Sequence, residues 1–201
     1  MNAARALQNR VDPYGNLAAV AARGALMGNR GGRFHRPDQT LGRRRWVSRQ
    51  WISCLCAFQG RHRDVWGASY TELFFLDEPT ALAAGHRPCF LCRRADAEAF
   101  RRAFASGGKP SAPEIDAVLH GERVVRRDEL RPLAELPDGA MIEWNGRPHA
   151  LRDDALLPWS FFGYGAPAPR PPGATARLLT PPSIVVALAR GYSARWAEDL
   201  I

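Results

Sequence analysis

The sequence predicts an α+β fold, because signals for short strands and for short helices both occur without the regular alternation of a wound β-α-β chain. Residues 46–58 and 70–76 are rich in aromatic and β-branched side chains, which is typical of strands. Residues 93–104 repeat apolar side chains with helical spacing. The turn sequence Asn145-Gly146-Arg147 separates two apolar runs, which predicts a β-hairpin. With 201 residues, 46% of them hydrophobic, the chain is long enough for one domain with extensions.

Residues 1–45 are predicted to form a basic, irregular N-terminal arm. Asp12-Pro13-Tyr14-Gly15 is a turn sequence, and residues 17–26 favour a short Ala-rich helix. Residues 27–46 contain many Gly and Arg residues and few apolar ones. We therefore expect this part of the arm to lie on a surface, with a solvated tail as the alternative.

Residues 46–106 are predicted to form a small module of strands and short helices. A helix over 77–84 follows the second strand, and Asp77 is a suitable N-cap for it. The longer helix at 93–104 closes the module.

Residues 107–165 and 166–201 are predicted to extend this module. The first segment contains a helix over 112–120, the hairpin, and an aromatic run at 156–164 that we expect to cover the hairpin. The second segment begins with a Pro-rich stretch and ends in a helix over 183–190.

The charge of the chain predicts a polyanionic partner. The formal net charge is +8, from 28 basic and 20 acidic side chains, and Lys109 is the only lysine. Guanidinium groups bind phosphate in a bidentate manner, so nucleic acid is the expected partner, with DNA favoured over RNA; a protein partner is an alternative. No run of apolar residues is long enough to cross a membrane, and the N-terminus lacks the apolar region of a secretory signal, so we expect no membrane partner and a cytoplasmic location.

Four cysteines predict a structural zinc site. Cys89 and Cys92 form a Cys-x-x-Cys pair directly before a helix, and Cys54 and Cys56 share one face of the first strand because strand side chains alternate. Four thiolates are the ligands that structural Zn²⁺ prefers, and one Zn²⁺ is the expected cofactor. The alternatives are three cysteines with His62 or His86, an iron–sulfur cluster, or buried free thiols.

Arginines surround these cysteines in the sequence. Each is a candidate for binding phosphate beside the metal or for stabilising the thiolates. The predicted nucleic-acid contacts, including those of the N-terminal arm, are Arg43, Arg44, Arg45, Arg61, Arg63, Arg87, Arg93 and Arg94.

Residues 74–93, FFLDEPTALAAGHRPCFLCR, resemble the N-terminal zinc-binding domain of the Ada family, which repairs methyl phosphotriesters in DNA. The shared pattern is a strand, a short helix ending in Ala-Ala-Gly, and then Arg-Pro-Cys-x-x-Cys-Arg. With the first strand included, the resemblance extends over about residues 46–104. It implies an Ada-like zinc module in which Cys54 accepts a methyl group, while Cys56, Cys89 and Cys92 complete the ligand set.

Three functions follow as expectations. The favoured one is zinc-dependent binding of nucleic acid, with DNA damage handling as the setting that the resemblance implies. The second is enzymatic, namely irreversible methyl transfer from an alkylated phosphate to Cys54. The third is a structural module in which zinc stabilises a surface for protein–protein interaction. No spacing typical of a Ser-His-Asp or Cys-His hydrolase occurs.

Overall fold

The protein consists of two mostly antiparallel β-sheets with four short helices, as described by a computed structural model for residues 6–60, 64–105, 107–124 and 129–200. The predicted α+β fold, an Ada-like zinc module carrying an irregular arm and an extension, is therefore wrong. The described part of the chain is β-rich, because segments without a clear strand pattern still pair with the sheets.

The first sheet has six strands in the order β2-β1-β5-β3-β4-β6. The pairs β1–β5 and β4–β6 are parallel, and the other neighbours are antiparallel. Its strands are β1 (Gln8–Val11), β2 (Leu17–Ala19), β3 (Leu26–Arg30), β4 (Trp51–Leu55), β5 (Leu73–Phe75) and β6 (Arg87–Pro88).

The second sheet has seven strands, six of them in the order β11-β10-β9-β8-β13-β7, while β12 pairs with β10. The predicted hairpin at Asn145-Gly146 is confirmed as the turn between β8 and β9. The aromatic run after it forms the next strand of this sheet instead of covering the hairpin. The strands are β7 (Leu130–Pro132), β8 (Met141–Trp144), β9 (Arg147–Arg152), β10 (Ala155–Ser160), β11 (Gly163–Tyr164), β12 (Ala168–Pro169) and β13 (Thr175–Leu178).

The helices are short and begin near their expected positions. Asp77 caps the first helix, because its side chain accepts a hydrogen bond from the Thr80 backbone N–H. The third helix continues past Gly121, where the sequence predicts its end. The helices are α1 (Glu78–Ala83), α2 (Arg94–Phe104), α3 (Ala112–Val124) and α4 (Pro182–Ala189).

The predicted basic arm supplies three strands of the first sheet. The central one, β3, pairs with both β4 and β5, and Gly28 within it faces the ring of Phe75. A Cβ at Gly28 would lie 2.3 Å from the Ile52 carbonyl oxygen and 2.7 Å from that ring. Because Gly28 has no Cβ, the Phe75 ring and the neighbouring strand can pack closely against it, and this Gly-rich stretch can form a strand.

Helix α1 lies where the hydrophobic cores of the two sheets meet. Leu82 packs in the core of the second sheet, whereas Ala81 and Ala84 pack in the core of the first. Phe100 of α2 also belongs to the core of the second sheet. Residues on both sides of the predicted boundary at 106 therefore share one core.

Candidate metal centre

The structure brings three of the four predicted zinc ligands together. The sulfur atoms of Cys54, Cys89 and Cys92 all lie within 4.8 Å of one another, and all four cysteines are free thiols. Sulfurs around a tetrahedral Zn²⁺ are about 3.8 Å apart, given Zn–S bonds of about 2.3 Å. The three sulfurs are therefore close enough together to bind one metal ion.

Pairing between two strands places these cysteines side by side. Strands β4 and β6 run parallel, with Ser53 opposite Pro88. The Cys89 backbone N–H then donates to the Ser53 carbonyl, at 3.0 Å, which extends the pairing to Cys89 and sets it next to Cys54. The Cys-x-x-Cys turn closes with a 3.0 Å hydrogen bond from the Arg93 N–H to the Cys89 carbonyl.

Backbone N–H groups point at two of the sulfurs. The Leu91 N–H lies 3.4 Å from the Cys89 sulfur, and the Leu55 N–H lies 3.4 Å from the Cys92 sulfur. Such donors stabilise the thiolate form and so favour metal ligation. These donors are not among the predicted site features, although the Cys-x-x-Cys spacing is itself a signal for the first of them.

The neighbouring sulfurs shift the pKa values of Cys54 and Cys89 in opposite directions. Hydrogen bonds from Cys54 and Cys92 lower the pKa of Cys89, so it is the preferred thiolate. The same contacts, with Cys89 foremost, raise the pKa of Cys54, and burial raises it further. A cation would release the remaining protons by removing the repulsion between neighbouring thiolates.

Cys56 lies outside the cluster. Strand β4 ends at Leu55, and the exposed Cys56 thiol turns toward the carbonyls of Ala25, at 3.4 Å, and Gly24, at 3.8 Å. The expectation that Cys54 and Cys56 share a face requires the strand to continue, and it does not. Three of the four predicted ligands therefore lie together, and Cys56 does not join them.

Of the two histidines considered as alternative zinc ligands, only His86 lies within the described residues. His86 is fully buried, receives a 3.3 Å hydrogen bond from the Arg30 Nε, and packs against the rings of Trp51 and Phe75. It is not part of the cysteine cluster. His62 lies outside the described residues.

Arg87 is not available to nucleic acid, which corrects the sequence prediction. Its side chain is 2% exposed and forms two 2.8 Å hydrogen bonds with the carboxylate of Asp116. A third donor binds the Pro88 carbonyl at 3.1 Å. The guanidinium links the cysteine knuckle to α3 rather than to solvent.

Arg93 is likewise buried, which overturns its predicted role. It forms ion pairs with Glu78, at 2.7 Å, and Asp96, at 3.0 Å, and it donates to the Ser53 hydroxyl at 3.0 Å. Burial works to lower the pKa of Arg93, but the Glu78 carboxylate more than offsets this and the pKa is raised. Glu78 also accepts from the Tyr192 hydroxyl at 2.6 Å. Only the Arg93–Asp96 pair is local; Ser53, Glu78 and Tyr192 are far from Arg93 in sequence, so no local pattern predicts their contacts.

The remaining predicted contacts are distributed over the surface. Arg43, Arg44 and Arg94 are exposed, and Arg45 is half-buried with a bond to the Gly42 carbonyl. Arg61 and Arg63 lie outside the described residues.

Cys54, the predicted methyl acceptor, is only 7% exposed. An acceptor sulfur needs an open path for in-line attack on a methyl carbon. No observation in the structure favours methyl transfer over metal ligation at this residue.

Comparison with protein-family models, with curated proteins and with solved structures finds no match for this chain. Within the described residues, no helix combines the length and apolar character needed to cross a membrane.

Proposed function

We propose that this protein binds Zn²⁺ through Cys54, Cys89 and Cys92 and uses its cationic surface to bind nucleic acid. The observation that carries the proposal is the mutual proximity of the three sulfurs, each within 4.8 Å of the others. Two buried members and backbone N–H donors suit a structural thiolate site. A reducing, cytoplasmic compartment suits free thiols of this kind.

The fourth coordination position distinguishes two forms of the site. Cys56 follows β4 closely enough in sequence to be the first candidate, and a water or an external ligand is the other. Structural zinc sites usually take four protein ligands, whereas three ligands leave a position for exchange. The position of Cys56, exposed and outside the cluster, favours the three-cysteine form.

The nucleic-acid part rests on charge. Arg43 and Arg44 are exposed, and Trp46 beside them is 42% exposed. Arginines next to an exposed aromatic ring suit a phosphate backbone with a base stacked against the ring. The net charge of +8 would add long-range attraction.

The metal proposal is tested by elemental analysis of protein purified without added metal. We expect close to one equivalent of zinc per chain, and its loss in Cys89→Ser together with a large fall in thermal stability. Cys56→Ser is the matched control, since it changes the one cysteine outside the cluster. Full zinc content in this variant supports a three-cysteine site, and loss supports the four-cysteine form. Wild-type protein that folds without any metal contradicts the proposal.

The nucleic-acid proposal is tested by the salt dependence of binding to labelled DNA and RNA oligonucleotides. Reversal of charge at Arg43 and Arg44 should weaken binding at least tenfold and flatten the slope of affinity against salt, because fewer counterions are released. The control reverses two other exposed arginines, Arg102 and Arg147. Equal losses in both variants would mean that only the total charge matters, and no binding at low salt would refute the proposal.

A further inference from the structure

A cavity of about 640 Å³ opens where the two sheets meet. Its walls come from the turn between β1 and β2, the end of β3, the segment around Trp46, the ends of α1 and α3, and the residues between β13 and α4. Cavities of this size at the junction of two structural units are typical of small-molecule sites. None of the candidate zinc ligands lines it.

Arg30 is a buried cation in this wall, and no carboxylate of the described residues forms a hydrogen bond with it. It is 1% exposed, and its guanidinium carbon lies 3.9 Å from the centre of the Trp51 ring. Its hydrogen bonds go to neutral groups, the Gly15 carbonyl at 2.9 Å and His86 at 3.3 Å. Burial, and then the charge of Arg123, lower its pKa to about 9.

Arg123 approaches the same tryptophan. Its guanidinium carbon lies 4.3 Å from the Trp51 ring centre, and its bonds go to the carbonyls of Gly85 and Arg49. Its Nε is buried and has no hydrogen-bond partner. Burial lowers its pKa to about 10, although the nearby Asp116 carboxylate partly offsets this. Among the described residues, no carboxylate forms an ion pair with Arg30 or with Arg123.

The carboxylates of the cavity wall are engaged elsewhere. Glu122 accepts hydrogen bonds from the backbone N–H and the hydroxyl of Ser183, and Glu129 pairs with Arg131 at 3.0 Å. Asp12 lies outside this wall; its charge raises the pKa of Arg30, and its carboxylate accepts hydrogen bonds from the backbone and side chain of Asn16. Arg45 adds a third cation to the same wall.

Buried charges in proteins are normally paired, since an unpaired one is costly to remove from water. Arg30 and Arg123 also repel each other, and yet they converge on one indole ring. An anion in the cavity would relieve both costs at once, and guanidinium groups match the oxygens of a phosphoryl group.

We propose that this cavity binds a phosphate monoester that carries an aromatic base, with Arg30, Arg45 and Arg123 facing the phosphate. Trp46 lines the cavity, and its ring centre is 6.0 Å from that of Trp51, so an aromatic surface is available to stack a base. The ligand is either a free nucleoside monophosphate or the 5′-phosphorylated end of an oligonucleotide. The site uses none of the cysteines, so it is independent of the proposed zinc site, but it shares Trp46 with the proposed nucleic-acid surface.

The test is calorimetric titration of the full chain with adenosine and guanosine 5′-monophosphates, the unphosphorylated nucleosides, and inorganic phosphate. We expect the monophosphates to bind at least tenfold more tightly than the nucleosides and to raise the thermal unfolding temperature. Arg123→Gln should weaken this binding at least tenfold with its zinc content unchanged. Arg102→Gln, on the exposed face of α2, should bind as the wild type does.

Oligonucleotides with and without a 5′-phosphate distinguish the two sources of the ligand. A preference for the phosphorylated end over the mononucleotide assigns the cavity to a chain terminus, and the reverse assigns it to a free nucleotide. The thermal shift of the wild-type protein keeps the proposal testable even if Arg123→Gln fails to fold. No shift and no heat with any phosphorylated ligand at millimolar concentration would overturn it, as would equal affinity for nucleosides and nucleotides.

Discussion

Replacing Arg87 by Met tests whether the cysteine knuckle is attached to α3 through a buried ion pair. The change removes the guanidinium and leaves the Asp116 carboxylate, which is 5% exposed, without its two 2.8 Å bonds. Met fills a similar volume, so the lost charge is the main perturbation.

The expected loss is large because a buried carboxylate stays behind. Removing one partner of a buried pair costs about 3–5 kcal/mol. For a chain of this size, about 2–4 °C of melting temperature corresponds to each kcal/mol, so the melting point should fall by roughly 6 to 20 °C. The double variant Arg87→Met with Asp116→Leu should recover most of the loss, since it leaves no charge uncompensated.

Urea unfolding followed by circular dichroism measures the effect. The matched control is Arg101→Met, because Arg101 pairs with Glu98 on the surface of the neighbouring helix and both side chains are about a quarter exposed. Surface pairs of this kind contribute about 0–1 kcal/mol. If Arg87→Met costs no more than Arg101→Met, or if the double variant is less stable than the single one, the reasoning is wrong. The folded Arg87→Met protein should also keep the wild-type salt dependence of nucleic-acid binding, since the buried guanidinium contacts no phosphate.

Three further changes test other parts of the fold by thermal or urea unfolding. Burial raises the pKa of Asp77 from 3.8 to about 6, so the folded state holds this proton more tightly than the unfolded state does. The free energy of unfolding should therefore fall by up to about 3 kcal/mol as the pH rises from about 4 through 6. Asp77→Asn keeps the cap and should abolish this fall, whereas an unchanged pH profile in the variant would contradict the reasoning. Gly28→Ala should destabilise by about 1–3 kcal/mol, because its Cβ would press on a backbone carbonyl and an aromatic ring. Gly108→Ala is the control for crowding, because its Cβ would meet only the Ala105 Cβ, at 3.8 Å. Tyr192→Phe removes one donor to the buried Glu78 carboxylate and should cost about 1.5–3 kcal/mol; a loss below 0.5 kcal/mol would show that Arg93 and the Arg195 N–H are enough to satisfy it.

The sequence predicted correctly those caps and turns that depend on residues close together in the chain. Asp77 caps α1 as expected, the Asn145-Gly146 turn joins β8 and β9, and the Cys-x-x-Cys turn precedes α2. In each case the residues that make the structure are neighbours in the chain. The same locality made Cys89 and Cys92 a reliable pair of candidate ligands.

The sequence alone determined the charge, the cysteine pair and these turns, whereas the tertiary structure decided which side chains are free to act. Strand β3 pairs with two partners that lie far away in sequence, so a Gly-rich stretch became the middle of a sheet. Cys56 lies outside the cysteine cluster because β4 ends one residue before it. Arginines look alike in a sequence, but Arg87 is satisfied by a carboxylate from α3 and Arg30 meets only neutral groups and a ring. That difference depends on the distance to the nearest acidic group, which folding sets and residue type does not.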